Sequence, residues 1–209
     1  MPSSQFALPI GFDLAGVLLF AVTGAWSAMA RGYDIMGVFV LAFVTGTGGG
    51  LIRDGLFLTR VPLVLTDWRY VAAVLVGGLI GVAVGSHAKR FATAFAMVDA
   101  LGLGAYAVVG AQASLAAGLP ALAALIVGLT NAVGGGLLRD VLVREEPLLF
   151  KPSQLYGVTA LAGCVVFLLL ERQLRVPATD AALVAIGATF ALRMASRRFN
   201  WQTAPLGRR

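Results

Sequence analysis

The chain has 209 residues, of which 59% are hydrophobic and only 12% charged, with a mean hydropathy of +0.88. A soluble domain of this size needs far more charged surface, so a water-soluble globular fold is excluded and an all-α membrane protein with several spans is implied. The formal net charge of +6 comes from Lys and Arg at the ends of apolar runs and in the C-terminal tail, a distribution that fits membrane anchoring and contact with anionic phospholipids and argues against nucleic-acid binding.

A helix that crosses the hydrocarbon needs about 20 mostly apolar residues. Seven stretches qualify: about Ile10 to Ala30, Asp34 to Leu58, Tyr70 to Ser86, Phe95 to Ala116, Pro120 to Val143, Gln154 to Leu170 and Thr179 to Ala195. The loops between them are short. Met1 to Pro9 has no basic leader region, so the first stretch is expected to be a mature transmembrane helix. An odd number of spans puts the two ends on opposite faces. The N-terminal face receives Arg60, Arg69, Arg172 and Arg175, and the other face Arg31, Lys89, Arg90, Arg144, Lys151, Arg197, Arg198, Arg208 and Arg209. By the positive-inside rule the expected arrangement is a multi-pass protein of the cell inner (plasma) membrane, with its N-terminus outside and its C-terminus cytoplasmic.

The second and fifth helices carry the same unusual stretch, Gly48-Gly49-Gly50-Leu51-Ile52-Arg53-Asp54 and Gly134-Gly135-Gly136-Leu137-Leu138-Arg139-Asp140. Glycine in a helix interior costs roughly 1 kcal/mol relative to Ala, and an Arg or Asp at membrane depth about 2.5–3.5 kcal/mol. Shifting the chain by the 86 residues between Gly50 and Gly136 also aligns Asp13 with Asp99, Gly24-Ala25 with Gly110-Ala111, Tyr70 with Tyr156 and Gly77 with Gly163, with no gap from Asp13 to Gly77. Each repeat holds three helices, an odd number, so the second must enter the bilayer in the opposite sense. The expected organisation is a first three-helix repeat at 10–86, an inverted repeat at 95–171, a seventh transmembrane helix at 179–196 and a basic cytoplasmic tail at 197–209. Proteins of this architecture place transport sites at the repeat interface.

Each glycine triplet falls near the middle of its helix. A kink or break there would expose backbone carbonyls that, beside Thr45, Thr47 and Asn131, could line a cation path; the competing reading is that the glycines only permit close helix crossing. The recurrence of the triplet at the inverted position favours the break. Neighbouring helix positions point about 100° apart, so Arg53-Asp54 and Arg139-Asp140 are not expected to neutralise themselves. The inverted symmetry offers Arg53 with Asp140 or Asp99, and Arg139 with Asp54 or Asp13, as bridges between halves; pore electrostatics and snorkelling to the interfaces are the alternatives. Asp13 and Asp99 lie near the starts of helices one and four, where a carboxylate complements the helix dipole or marks the mouth of a cation pathway. Gly77, Gly81 and Gly85 form a ridge of small residues suited to helix packing. His87 stands alone, Cys164 lies in an apolar run, and neither a phosphate loop nor a catalytic constellation is present. No enzyme activity, metal site or cofactor is expected.

The doubled Gly-Gly-Gly-x-x-Arg-Asp motif at 48–54 and 134–140, in a chain of three plus three plus one helices, resembles prokaryotic members of the trimeric intracellular cation (TRIC) channel family. The resemblance implies a homotrimer with one pore per protomer, permeation of the monovalent cations potassium and sodium, and second and fifth helices kinked at the glycine motifs. Animal relatives carry basic residues on the fourth helix that are linked to gating; Phe95 to Ala116 contains no Lys or Arg, so calcium- or voltage-linked gating of that kind is not implied. Some bacterial relatives look like glycine transporters, which keeps a secondary carrier for a small amino acid as the alternative to a channel. A third reading, in which the motifs only pack a structural or lipid-binding membrane protein, also stands.

Overall fold

The computed structural model describes residues 8–85, 92–151 and 155–202. His87, Lys89, Arg90, Arg208 and Arg209, together with the expected helix ends at Ser86 and Gln154, lie outside these. The elements are α1 (Gly11–Ala30), α2 (Ile35–Leu51) continued by a π-helical turn (Ile52–Phe57), α3 (Leu63–Thr66), α4 (Trp68–Gly85), α5 (Ala92–Ala116), α6 (Ala121–Leu142), α7 (Tyr156–Leu168) continued by a second π-helical turn (Leu169–Gln173), and α8 (Ala178–Arg198). Six of these, counting each π turn with its helix, are long and apolar enough to cross a membrane, and α4 is a shorter apolar helix. The seven expected helices are present. The four-residue α3 is additional.

Small residues decide the packing. α1 lies against α4, α2 and α5, while α6 lies against α5 and α2, and α8 leans on α5 and α7. A Cβ at Gly77 would come within 2.7 Å of the Leu18 carbonyl oxygen, and one at Gly81 within 3.1 Å of the Val22 carbonyl oxygen. The glycine ridge of α4 therefore seats on α1 of the same chain, where backbones approach too closely for any side chain. The outward faces carry Val40, Leu75, Leu79, Ile126 and Leu183, all exposed. In water this would be a liability; in lipid it is the solvated surface.

The glycine triplets do not break their helices. α2 runs as α-helix through Gly48–Gly50, departing only at Ile52, and α6 runs through Gly134–Gly136 to Leu142. The triplets instead form the crossing of α2 with α6. A Cβ at Gly49 would collide with the carbonyl oxygen of Asn131, and one at Gly135 with the carbonyl oxygen of Thr45. These two contacts are related by the same 86-residue shift. Close backbone contact offsets the poor helix propensity of glycine, so there is no need for the chain to unwind.

The loops that follow the two motifs run one residue out of register, which corrects the gapless alignment. The backbone N–H of Arg60 donates to the Asp54 carbonyl, and that of Glu145 to the Asp140 carbonyl; each follows a residue of left-handed backbone, Thr59 (φ 47°) and Arg144 (φ 59°). The N–H of Leu63 then donates to the Asp54 carboxylate and that of Leu148 to the Asp140 carboxylate. These counterparts are 85 residues apart, because the π turn after Asp54 absorbs one extra residue in the first loop.

Candidate functional site: two charged clusters across a helix crossing

On the side where α1 begins, Arg53 is the centre of a buried cluster, only 1% exposed. Its Nη2 lies 3.1 Å from Asp13 Oδ2, its Nε donates to Asp54 Oδ1 at 2.8 Å, and its Nη2 donates to Asp54 Oδ2 at 3.0 Å. The Tyr70 hydroxyl donates to Asp13 Oδ2 at 2.8 Å. From the loop, Arg60 donates Nη2 to Asp54 Oδ1 at 2.8 Å and Nε to the same oxygen at 3.1 Å. The adjoining cavity, lined in part by Pro62, Leu63 and Val64, measures only about 10 Å³, no more than the space of one water.

On the side where α8 ends, Arg139 makes the corresponding bonds. Its Nη1 donates to Asp99 Oδ1 at 3.0 Å and its Nε to Asp140 Oδ1 at 2.9 Å. It also donates to Thr23 Oγ1 of α1 at 3.0 Å, and its guanidinium lies 4.9 Å from the centre of the Phe95 ring. Here the cavity is about 360 Å³, reaching from Arg139 and Asp140 past Trp26 and Phe95 to Arg31, Glu145 and Glu146. Arg31 is held at its rim by bonds to Glu145 and to the Val143 carbonyl. α8 contributes Arg193, 2% exposed, whose guanidinium lies 4.8 Å from the centre of the Tyr156 ring.

Between the clusters stand the polar residues singled out in the sequence. The Thr45 hydroxyl donates to the Leu41 carbonyl at 2.6 Å and the Thr47 hydroxyl to the Phe43 carbonyl at 2.8 Å, while Asn131 Nδ2 donates to the Tyr106 carbonyl at 2.7 Å. Tyr106 in turn donates to the Gly46 carbonyl. Thr47 lines the small cavity; Thr45 and Asn131 are fully buried in the crossing. The crossing thus separates the two cavities.

Three expectations are corrected. Each arginine pairs with carboxylates of its own half, not of the other, because α2 and α6 meet at the triplets and diverge beyond them, carrying Arg53 and Arg139 to opposite ends. Each Arg-Asp pair does close on itself: adjacent Cβ atoms diverge, but the long arginine side chain folds back to its neighbour. Asp99 lies two turns inside α5, which starts at Ala92, so it answers Arg139 rather than the helix dipole. Tyr70, Arg60, Thr23, Phe95 and Arg31 are site residues that the sequence does not single out. Of these, only Tyr70, through its match with Tyr156, leaves a trace in the repeat. Among the described residues no group of three or more His, Cys, Asp or Glu converges as a metal site would require.

Fold and clusters together define a multi-pass helical membrane protein built around paired intramembrane Arg-Asp motifs. The chain belongs to the family described as "Glycine transporter", whose model matches it twice, at residues 10–86 and 96–172. It is 37% identical over 197 residues, 94% of this chain and 90% of the relative, to a "UPF0126 membrane protein" of Deinococcus radiodurans. Among solved structures, one concerned with conductance through TRIC cation channels superposes with a TM-score of 0.83 at 30% identity, covering 97% of this chain and 99% of that one. A TRIC trimeric intracellular cation channel orthologue from Rhodobacter sphaeroides superposes with a TM-score of 0.80 at 33% identity, over 91% and 97% of the two chains. The resemblance read from the doubled motif therefore extends over almost the whole fold.

Proposed function

We propose that the protein is a monovalent cation channel conducting potassium and sodium, a homotrimer in which each protomer holds its own pore at the interface of two inverted three-helix repeats. The observation that carries this reading is the pair of cavities on opposite sides of the α2–α6 crossing, each ending on a buried Arg-Asp cluster, in a fold shared nearly end to end with TRIC cation channels. Within each cluster two aspartates bond one arginine, so the guanidinium charges are compensated and do not oppose a cation. The double match of one family model at an 86-residue offset supports the two repeats. The basic residues at the C-terminal end support an inner-membrane orientation with that end cytoplasmic and bathed by anionic lipid. The protein acts without catalysis in this reading.

The second reading, a carrier for a small amino acid such as glycine, is favoured by one feature: a cavity of about 360 Å³ on one side of the crossing against about 10 Å³ on the other, an asymmetry of the kind alternating access produces. Reconstitution of the pure protein in liposomes separates the two. The channel reading expects potassium flux with discrete unitary currents and no saturable uptake of radiolabelled glycine; saturable uptake without currents overturns it. Absence of both activities in correctly inserted protein supports a purely structural role.

A further inference from the structure

We infer that Arg60 and Glu145 are an oppositely charged pair of latch residues that set which mouth of the pathway is shut. The inference rests on the pathway between the two cavities proposed above, and deepens it by naming what holds one end closed.

The two loops are built alike. In each, a left-handed residue, Thr59 or Arg144, turns the chain so that the next residue bonds the carbonyl of the motif aspartate. Three residues later a leucine N–H bonds the aspartate's second carboxylate oxygen. Each loop carries a Pro-Leu pair at the same place, Pro62-Leu63 and Pro147-Leu148. The counterpart positions differ at the side chain that decides closure. Arg60 puts two hydrogen bonds onto Asp54, so that Asp54 is held by two arginines, and Pro62, Leu63 and Val64 of the same loop line a cavity of only about 10 Å³. Glu145, a carboxylate like that of Asp140, can form no such ion pair with it and pairs with Arg31 instead. Among the described residues Arg139 is the one arginine that bonds Asp140, and the cavity beside it stays open at about 360 Å³. Glu146, a second carboxylate, lines the same cavity. The gapless 86-residue alignment would pair Arg60 with Glu146, so the charge reversal holds in either register.

The two clusters share their central bonds, aspartate on the first helix of the half with arginine and aspartate on the second; they differ in Tyr70, which bonds Asp13, and in Thr23, which accepts from Arg139. The shared bonds do not account for the difference in cavity size; at the loop position a cation bonds the motif aspartate on one side, and on the other an anion pairs away from it.

The test uses the full-length protein in vesicles with Cys164→Ala as background, since Cys164 is the single native cysteine. Thr47→Cys places a thiol at the small cavity and Ser27→Cys one at the large cavity. A membrane-impermeant thiol reagent should leave the thiol of Thr47→Cys almost unmodified when Arg60 is intact. Arg60→Ala should raise its rate about tenfold, and Arg60→Lys, which keeps the charge, should restore part of the protection. In the opposite sense, Glu145→Arg should slow modification of the Ser27→Cys thiol several-fold. An unchanged rate at position 47 in Arg60→Ala protein that still elutes as the native assembly overturns the latch, as does Glu145→Arg without effect at position 27. Labelling does not depend on what is transported, so failure of the latch is read separately from failure of the channel assignment in the flux assay.

Discussion

The Arg53 and Arg139 clusters are two copies of one device in different surroundings. Both hold a buried arginine between a carboxylate from the preceding helix and the aspartate next in sequence. Around Arg53 the device is sealed: Asp54 is 1% exposed, Tyr70 caps Asp13, and Arg60 ties the loop down. Around Arg139 it faces a cavity, with Asp140 8% exposed and Trp26 and Phe95 forming an aromatic wall beside the corresponding loop. The lesson is that a repeated motif specifies the internal charge balance of each half, while the loops and flanking side chains specify access to it.

Substitutions at corresponding positions sharpen this contrast. The largest effect is expected at the arginines. Arg139→Gln leaves Asp99, 1% exposed, without its ion pair and should cost about 3–5 kcal/mol. Arg53→Gln should cost less, about 1–3 kcal/mol, because Arg60 still bonds Asp54 and the Tyr70 hydroxyl still bonds Asp13. Thermal unfolding of both variants in one detergent measures the difference, and a larger loss for Arg53→Gln would show that Arg60 does not hold Asp54.

The middle glycines come next, and here the two halves should agree. Gly49→Ala and Gly135→Ala each drive a methyl into a carbonyl of the other helix and should each cost about 1–3 kcal/mol. Gly50→Ala meets only Arg53 Nη2, at 3.8 Å, and should change stability by no more than about 0.5 kcal/mol. A ranking in which Gly50→Ala is the worst of the three would point back to a helix break at the triplet.

The smallest expected effect separates the tyrosines. Tyr70→Phe removes a hydrogen bond to Asp13 and should cost about 1 kcal/mol. Tyr156→Phe removes a hydroxyl that has no hydrogen-bond partner among the described residues and should be neutral within about 0.5 kcal/mol. Parallel unfolding curves for the pair check this.

Much of the fold is legible in the sequence because hydrophobic length is a strong signal in a chain that must satisfy its own backbone in lipid. The expected fifth helix, Pro120 to Val143, lies one residue from the observed Ala121–Leu142 at each end. The four-residue α3 carries too few residues for a periodic pattern, and the π turn at Ile52–Phe57 depends on the loop that Asp54 gathers around it. The site is legible as a set of residues and not as a set of partners. Asp13, Arg53, Asp54, Asp99, Arg139 and Asp140 all enter the two clusters, yet symmetry alone suggests bridges between halves. Depth along the helix decides instead: Arg53 and Arg139 leave the crossing in opposite directions, so each finds its carboxylates at its own end. Arg60 is hidden by its position in a loop, where an arginine reads simply as a membrane-side anchor.

The central claim, that ions pass through the cavities within a protomer, is tested most directly by single-channel recording of Cys164→Ala, Ser27→Cys protein in a planar bilayer. Bulky thiol modification from the C-terminal side should sharply reduce or abolish unitary potassium currents, because Ser27 lines the cavity leading to Arg139. Currents that persist unaltered after complete modification would place the conducting path elsewhere and contradict the account.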